Sequence, residues 1–251
     1  MVKLPRASAR SSEKQISFYG EDLAHLHDEA FGDWARAAAN VLLAHAPPGL
    51  VVDLGCGSGI LAEELTAAGR PVLGIDLSPA MLRIAKERVP TGTFRKGSLL
   101  DAEIPPCAAV AIVGEGVNFL FDGADHDRRL RKLLKRIQAA LAPGGLLLLD
   151  AAGPGRASRA GVRSWHEGKG WAVLTESIEA GGRLTRRIVT FRRDGRAWRR
   201  REETHVLRLL GPRGLAELLR AAGFEAKRLD GYGMLRLPKG HAAFVARKPS
   251  S

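Results

Sequence analysis

The chain has 251 residues, 45% of them apolar, so it is long enough for one α/β domain with an insertion or for two small domains. The formal net charge of +12 comes from basic residues scattered along the chain, which favours solvated arginine-rich surfaces over a dedicated anionic partner. No apolar run reaches the roughly 20 residues that a membrane helix needs, so we expect a soluble protein.

The first segment, residues 1–16, is polar and basic and lacks the apolar stretch of a secretory signal. We therefore expect a flexible N-terminus and a cytoplasmic location. The two cysteines, Cys56 and Cys107, lie in different segments without metal-ligand spacing. Reduced thiols and no bound metal are expected.

A helical pattern follows over residues 17–45. Leu23, His27, Ala30, Phe31 and Trp34 recur at spacings of three and four, which predicts one apolar helix face. The pattern stops at the Pro-Pro-Gly sequence of residues 47–49. His27 on the apolar face is predicted to point inward, as a core histidine or as a general base.

From residue 50 onward, apolar runs alternate with amphipathic helices. This rhythm predicts an α/β, Rossmann-like doubly wound sheet that is covered on both faces. The predicted strands are residues 50–54, 71–76, 93–96, 108–114 and 146–150, and the predicted helices are 59–69, 79–89 and 127–141. The pattern resumes near the C-terminus with a helix over 212–222 and strands over 224–232 and 241–248.

An insertion interrupts this rhythm after Asp150. Residues 153–170 are rich in Gly, Arg and Ser and are predicted to form a loop. Three stretches of strand character follow, separated by Gly181-Gly182 and Asp194-Gly195, and both dipeptides are typical of hairpin turns. The expected product is a three-stranded antiparallel unit.

The most informative stretch is "VVDLGCGSG", residues 51–59. A glycine-rich turn after the first strand lets a ligand approach the backbone at the carboxyl edge of a parallel sheet. The dinucleotide signature G-x-G-x-x-G would require glycine at position 60, where Ile60 stands. Asp53 would repel a pyrophosphate but suits a cationic group, and Asp76 ends the second strand, where a carboxylate can bind ribose hydroxyls. The pattern favours a phosphate-free, cationic nucleoside over NAD.

Five blocks in order, "VVDLGCGSG", "VLGIDLSPAML", "GSLLDAEIP", "AIVGEGVNFLFD" and "LAPGGLLLLD", resemble the class I S-adenosylmethionine-dependent methyltransferases. The resemblance is specific over residues 51–150 and weaker at the C-terminal end, where it implies a last antiparallel strand. It implies a small-molecule enzyme with a helical lid (17–48), a core (49–152 and 211–251) and an antiparallel cap (153–210).

The resemblance also implies site residues. S-adenosylmethionine would be bound by Tyr19, Asp53, Gly55, Cys56, Gly57, Asp76, Leu77, Met81, Ser98, Leu99, Gly114 and Glu115. Many relatives have an aspartate where Ser98 stands, so Asp101 is a substitute candidate for contacting the adenine. The expected acceptor contacts are Phe31, Asn118, Trp165, His166 and Tyr232, with Glu115 or His27 as general base.

The class of acceptor is less defined by sequence. The segment after the fourth strand, "GEGV", is not the (N/D)-P-P-(Y/F/W) motif of enzymes that methylate nucleobase amines, so a small-molecule acceptor is favoured and nucleic acid is not expected. Arg183, Arg186 and Arg187 suggest an anionic or phenolic acceptor, although only alternate strand residues can face a pocket. Two alternatives stay open: an RNA methyltransferase that uses the basic helix of residues 128–136, and a non-catalytic protein that keeps the cofactor as a structural ligand. The sequence does not specify the oligomeric state.

Overall fold

The structure is a computed structural model that describes residues 18–30, 32–120 and 125–250. The helices are α1 Glu21–Ala30, α2 Gly32–His45, α3 Ile60–Ala67, α4 Pro79–Arg88, α5 His126–Ala140 and α6 Pro212–Ala221. The strands of the central sheet are β1 Val51–Leu54, β2 Val72–Asp76, β3 Thr93–Lys96, β4 Cys107–Ile112, β5 Leu141–Ala152, β10 Glu225–Leu229 and β13 His241–Arg247. The other strands are β6 Val162–Gly168, β7 Trp171–Ala180, β8 Arg183–Asp194, β9 Ala197–Arg208, β11 Gly231–Tyr232 and β12 Leu235–Arg236.

The central sheet has seven strands in the order β10-β13-β5-β4-β1-β2-β3. Strands β1 to β5 pair in parallel, and β13 is antiparallel to both β5 and β10. The predicted fold class is therefore confirmed, including the antiparallel last strand. The order reverses between β1 and β4, which opens a crevice at the carboxyl ends of these strands.

The central strands of the sheet are buried on both faces, because an apolar layer covers each face. One layer packs α5 and α6 residues such as Leu133, Ile137 and Leu219 against Leu54 and Leu149. The opposite layer packs α2 and α3 against the other sheet face, with Leu42, Leu61 and Leu65 among its members. Strand β3 forms an exposed edge.

The insertion differs from its prediction. It forms a four-stranded antiparallel sheet, β6-β7-β8-β9, and not a three-stranded one. The segment predicted to be all loop contains β6, which pairs with β7 from Val162↔Ser177 to Gly168↔Trp171. Strand β6 is exposed along its whole length, so its sequence has no alternating apolar pattern by which it could have been recognised.

The N-terminal helical pattern corresponds to two helices, since α1 ends at Ala30 and α2 begins at Gly32. Phe31, an expected acceptor contact, lies outside the described residues, as do residues 1–17. In the described part of the chain, no helix is both long and apolar enough to cross a bilayer, and no group of three or more potential metal-binding side chains occurs.

Candidate active site

The glycine-rich turn between β1 and α3 has three residues with positive φ. Gly55, Gly57 and Gly59 have φ values of 83°, 52° and 79°. A Cβ on Gly59 would lie 3.0 Å from the Cβ of Ala85 in α4, so this glycine allows close packing of the helix. A Cβ on Gly55 or Gly57 would meet no atom closer than 3.9 Å. The first two glycines therefore leave backbone open to a ligand, which is the role that G-x-G turns have at this edge of a sheet.

Asp76, at the end of β2, is fixed by this turn. Its carboxylate accepts hydrogen bonds from the backbone N–H groups of Gly57 and Ser78, at 2.9 and 2.8 Å. Ser78 in turn caps α4 by accepting from the N–H of Met81 at 3.1 Å. Burial raises the pKa of Asp76, while the backbone hydrogen bonds act in the opposite direction. The carboxylate is thus held rigidly beside the glycine turn.

Asp53, in the preceding strand, lacks comparable support. Its side chain is 2% exposed, and its Oδ2 has no hydrogen-bond partner among the described residues. Burial, together with the nearby charge of Asp76, raises the pKa of Asp53 to about 7. A buried carboxylate without a partner is costly. A cationic ligand group beside Asp53 would remove that cost, which is the fit that a cofactor bearing an ammonium group requires.

Two joined cavities open around these carboxylates. The first, which we call the nucleoside cavity, is lined by Asp76, Leu77, Met81, Ser98 and Leu99. The second, the acceptor cavity, has a volume of about 460 Å³ and extends from the glycine turn to the four-stranded sheet. The two share the lining residues Tyr19, His27, Gly55, Gly57, Val113 and Gly114.

Every expected cofactor residue lines at least one of these cavities. Tyr19, Gly55, Gly57, Asp76, Leu77, Met81, Ser98, Leu99 and Gly114 line the nucleoside cavity, and Asp53, Cys56 and Glu115 line the acceptor cavity. Asp101, the substitute candidate for the adenine, does not: it is exposed and pairs with Arg129 of α5. Ser98 and Leu99, the other two residues of this segment that were expected at the adenine, both line the nucleoside cavity.

Phe18 and Tyr19, which precede α1, line the nucleoside cavity. Tyr19 has a φ of 45°, its backbone carbonyl accepts a hydrogen bond from Ser78 Oγ at 2.7 Å, and its ring lies edge-to-face on His27. Burial lowers the pKa of His27 to about 4, so its imidazole is neutral near pH 7. His27 lies at the junction of the two cavities, as its inward-pointing helix position predicts.

The turn after β4 carries Glu115, which has a φ of 66°. Its carboxylate accepts from Arg156 at 2.9 Å and from Arg186 at 3.0 Å, and its Oε1 lies 3.6 Å from Nδ1 of His241. All four residues line the acceptor cavity. Both oxygens of this carboxylate are thus occupied by charge-assisted hydrogen bonds from guanidinium groups.

Asp150, near the end of β5, binds the backbone of this turn. It is fully buried and accepts hydrogen bonds from the N–H groups of Gly114 and Glu115. Trp34 Nε1 donates to it at 2.9 Å and the Tyr232 hydroxyl at 2.8 Å. His241 Nε2 lies 3.2 Å away. Burial by itself would raise the pKa of Asp150, but the contacts with these groups, above all with His241, lower it below its ordinary value.

The expected acceptor contacts are corrected at three positions. Tyr232 is buried on Asp150 and Trp34 and does not line the acceptor cavity. Asn118 is also fully buried: its amide donates to the carbonyls of Ala152 and Arg208, and its Oδ1 accepts from Ala152 N–H. It therefore joins β5 to β9 and does not face the acceptor.

The third correction concerns Trp165, because successive residues of a strand point to opposite faces of the sheet. Trp165 is 70% exposed on the outer face of β6, whereas His166 lines the acceptor cavity together with Ser164. The same rule sorts the cap arginines: Arg186 lines the cavity, while Arg187 pairs with Glu202 on the outer face. The expectation of a pocket arginine on this strand holds for Arg186.

The sequence interpretation did not identify Arg156, His241, Glu203 or Asp150. Glu203 of β9 accepts hydrogen bonds from the backbone N–H groups of Tyr19 and Gly20, both at 2.8 Å. A local signal existed only for Asp150, because an aspartate that ends a buried parallel strand lies at the ligand-binding edge. Arg156 occurs in a loop without any distinguishing pattern.

Comparison with known proteins adds independent findings. Residues 25–229 match a family model described as a methyltransferase domain. Trans-aconitate 2-methyltransferase of Methylobacterium nodulans is 31% identical over 208 residues, which cover 77% of this chain and 76% of that protein. The enzyme of the same name from Paracidovorax citrulli is 35% identical over 125 residues, covering 48% and 46% of the two chains.

Solved structures share the fold. An S-adenosylmethionine-dependent methyltransferase from Clostridium acetobutylicum is 18% identical with a TM-score of 0.76, covering 90% of this chain and 97% of that one. CalS10, an amino pentose methyltransferase from Micromonospora echinaspora, was solved with S-adenosylmethionine bound; it is 24% identical with a TM-score of 0.71, and 92% and 98% of the chains are covered.

Proposed function

The chain belongs to the class I S-adenosylmethionine-dependent methyltransferases, and from this we propose that it methylates a small molecule bound in the acceptor cavity. The observation that carries the proposal is the pair Asp53 and Asp76. Oδ2 of the buried Asp53 has no hydrogen-bond partner among the described residues, and Asp76 is fixed beside a glycine turn that leaves room for a ligand.

We propose roles for the cofactor residues from this geometry. Asp53 would pair with the ammonium group of S-adenosylmethionine, since it is the buried carboxylate in need of a cation. Asp76 would accept hydrogen bonds from the ribose hydroxyls. Leu77, Met81 and Leu99 would enclose the adenine, because they line the nucleoside cavity with apolar surface.

When bound, the cofactor supplies a methyl group already activated by a sulfonium. The chain then has to hold the acceptor in line with that methyl group and exclude water, and positioning of this kind can contribute about 7–11 kcal/mol in favourable cases. We propose that residues 17–48 act as the lid and residues 153–210 as the cap that do so. The Glu203 contacts with Tyr19 and Gly20 join these two parts.

A proton acceptor is needed only when the acceptor attacks through a hydroxyl or a protonated amine. We propose His27 for this role, because it is neutral near pH 7 and lies where the two cavities meet. For Glu115, the other residue expected as general base, the two ion pairs favour a role in orienting Arg156 and Arg186. Replacement of His27 by Gln should then lower kcat for a hydroxyl acceptor while cofactor affinity changes little.

The RNA alternative receives less support from the structure. In the basic helix α5, Arg128 pairs with Asp125, Arg129 pairs with Asp101, and Arg136 donates to the carbonyl of Leu100. None of the residues 128–136 lines the nucleoside or the acceptor cavity. A small molecule therefore remains the proposed acceptor.

We also propose a cytoplasmic location, which the buried free thiols of Cys56 and Cys107 support.

Calorimetry tests the cofactor assignment. The purified protein should bind S-adenosylmethionine and S-adenosylhomocysteine but not NADH, and it should transfer labelled methyl groups to members of a small-molecule panel. Cofactor binding without transfer to any acceptor would favour the non-catalytic alternative. Steeply salt-dependent binding of tRNA together with tRNA methylation would favour the RNA enzyme.

A further inference from the structure

Two guanidinium groups lie side by side in the acceptor cavity. Arg156 comes from the loop after β5 and Arg186 from the inner face of β8, and their side chains are 20% and 18% exposed. Each uses a single nitrogen, Nη2, to donate to one oxygen of Glu115. Glu115 thus holds two cations next to each other on the cavity wall.

Among the described residues, each guanidinium group of this pair donates to Glu115 through one nitrogen. A guanidinium has five N–H donors, and both groups spend only part of theirs on Glu115. Nε of Arg156 is buried and has no hydrogen-bond partner among the described residues. A buried donor without an acceptor is unfavourable, so a ligand that accepts hydrogen bonds at this position would be stabilised.

The local charge also favours an anion. The single negative charge of Glu115 faces two positive guanidinium groups, and His241 lies between Glu115 and the buried Asp150. The other carboxylate that lines the cavity, Asp53, belongs to the glycine-turn side and is assigned to the cofactor. Counted over the side chains that line it, this part of the wall therefore carries more positive than negative charge, and the buried Asp150 behind it, which does not line the cavity, partly offsets that excess.

The cap side of the cavity is mixed: Val173 and Ile188 line it with apolar surface, and it also carries a group of polar side chains. Ser164 of β6 and Thr175 of β7 are cross-strand neighbours whose hydroxyls are 2.6 Å apart, and Ser177 is the register partner of Arg186. These three residues and His166 line the acceptor cavity. Hydroxyl and imidazole groups beside paired guanidinium groups are suited to carboxylate and hydroxyl oxygens.

We propose that the acceptor is a small organic acid and that Arg156 and Arg186 bind one of its carboxylates. This inference rests on the proposed function, since it names the class of molecule that occupies the acceptor cavity. Glu115 acts as a positioning residue: each of its two oxygens accepts from one guanidinium group, which holds both groups at the same part of the cavity wall. Arginine is the residue type whose planar fork matches a carboxylate.

Calorimetry on the protein loaded with S-adenosylhomocysteine tests the proposal. Aliphatic di- and tricarboxylates, including trans-aconitate, should bind, and their neutral amides should bind at least about tenfold more weakly. Arg186→Gln and Arg156→Gln should each weaken acid binding by about tenfold or more, while the affinity for S-adenosylhomocysteine stays near the unsubstituted value. The melting temperature should fall, because each substitution removes one partner of a largely buried ion pair with Glu115. Arg187→Gln is the matched control on the same strand, and acid binding should not change.

The outcomes separate the two proposals. If S-adenosylhomocysteine binds but no acid does, or if acids and their amides bind equally well, the carboxylate inference is overturned and the proposed methyltransferase function stands. Unchanged acid affinity in both cavity variants would also overturn it. Failure to bind S-adenosylhomocysteine would overturn the proposed function, and this inference with it.

Discussion

The carboxylate of Glu203 accepts a hydrogen bond from the backbone N–H of Tyr19 at 2.8 Å, across 184 residues of sequence. Its second oxygen accepts from Gly20 N–H at 2.8 Å, and His205 Nε2 lies 3.1 Å from Glu203 Oε2. The four-stranded sheet thereby fixes the segment that lines the nucleoside cavity. Because Tyr19 lines both cavities, this contact couples the acceptor side to the cofactor side.

Replacing Glu203 with Gln should weaken cofactor binding. An amide can accept only one of the two backbone hydrogen bonds, and charge-assisted bonds are the stronger kind. The Kd for S-adenosylhomocysteine, measured by calorimetry, should rise by about tenfold, which corresponds to about 1.4 kcal/mol. Glu202→Gln is the control, since Glu202 pairs with Arg187 and Arg200 on the outer face. Equal affinities in the two variants would contradict the coupling.

Replacing Asp76 with Ala should nearly abolish cofactor binding. The carboxylate supports Gly57 and Ser78 and is assigned to the ribose, so its loss removes a ligand contact and loosens the glycine turn. We expect the Kd for S-adenosylmethionine to rise by about a hundredfold or more, the equivalent of two lost charge-assisted hydrogen bonds. Asp101→Asn, outside both cavities, should leave the Kd unchanged; a loss of affinity there would restore Asp101 as an adenine contact.

Asp53 should make cofactor binding pH-dependent. Its pKa of about 7 in the cofactor-free protein means that it must lose a proton before it can pair with an ammonium group. The affinity for S-adenosylmethionine should therefore rise by up to about tenfold per pH unit between pH 5 and 7. Asp53→Asn should bind more weakly and show no such slope. An identical slope in the Asn variant would assign the titration to another group.

The same carboxyl group should affect the stability of the cofactor-free protein. Its pKa is 3.8 in the unfolded reference state and about 7 in the folded one, so the unfolded chain ionises first as the pH rises. Folding stability contributed by the neutral Asp53 is thus lost between these two values. Urea unfolding should show that Asp53→Asn gains stability relative to the unsubstituted protein on going from pH 5 to pH 8. A constant difference would contradict the raised pKa.

Replacing Tyr232 with Phe should lower stability without altering acceptor recognition. The hydroxyl donates to the buried Asp150, and hydrogen bonds to charged groups contribute about 1.5–3 kcal/mol. Chemical unfolding should show a loss in this range, and Asp150→Asn a larger one, because several donors would lose their acceptor. The KM for the acceptor should stay unchanged in Tyr232→Phe, since Tyr232 does not line the cavity. A raised KM with unchanged stability would instead place Tyr232 in the acceptor site.

Sequence alone predicted the central sheet and the edge of the sheet at which the expected cofactor residues lie. The glycine turn follows β1 directly, Asp76 ends the neighbouring strand, and parallel topology brings both to one edge of the sheet. Such features are local or follow from strand order, so patterns of a few residues suffice to predict them. The same short-range patterns gave the bounds of β3 and most helices to within a few residues.

Only the tertiary structure decided the composition of the acceptor cavity. Arg156 and Arg186 meet on Glu115 from 41 and 71 residues away. No local pattern distinguishes Arg156 from other arginines of the chain, and sequence narrowed Arg186 only to a group of three cap arginines. The polar side chains of Asn118 and Tyr232 point inward and hydrogen-bond to buried partners. Sequence patterns do not distinguish such a buried polar side chain from one that faces a ligand. The physical reason is that a polar side chain takes whichever partner the packing of distant elements brings within hydrogen-bond distance, and that partner is not encoded near it in sequence.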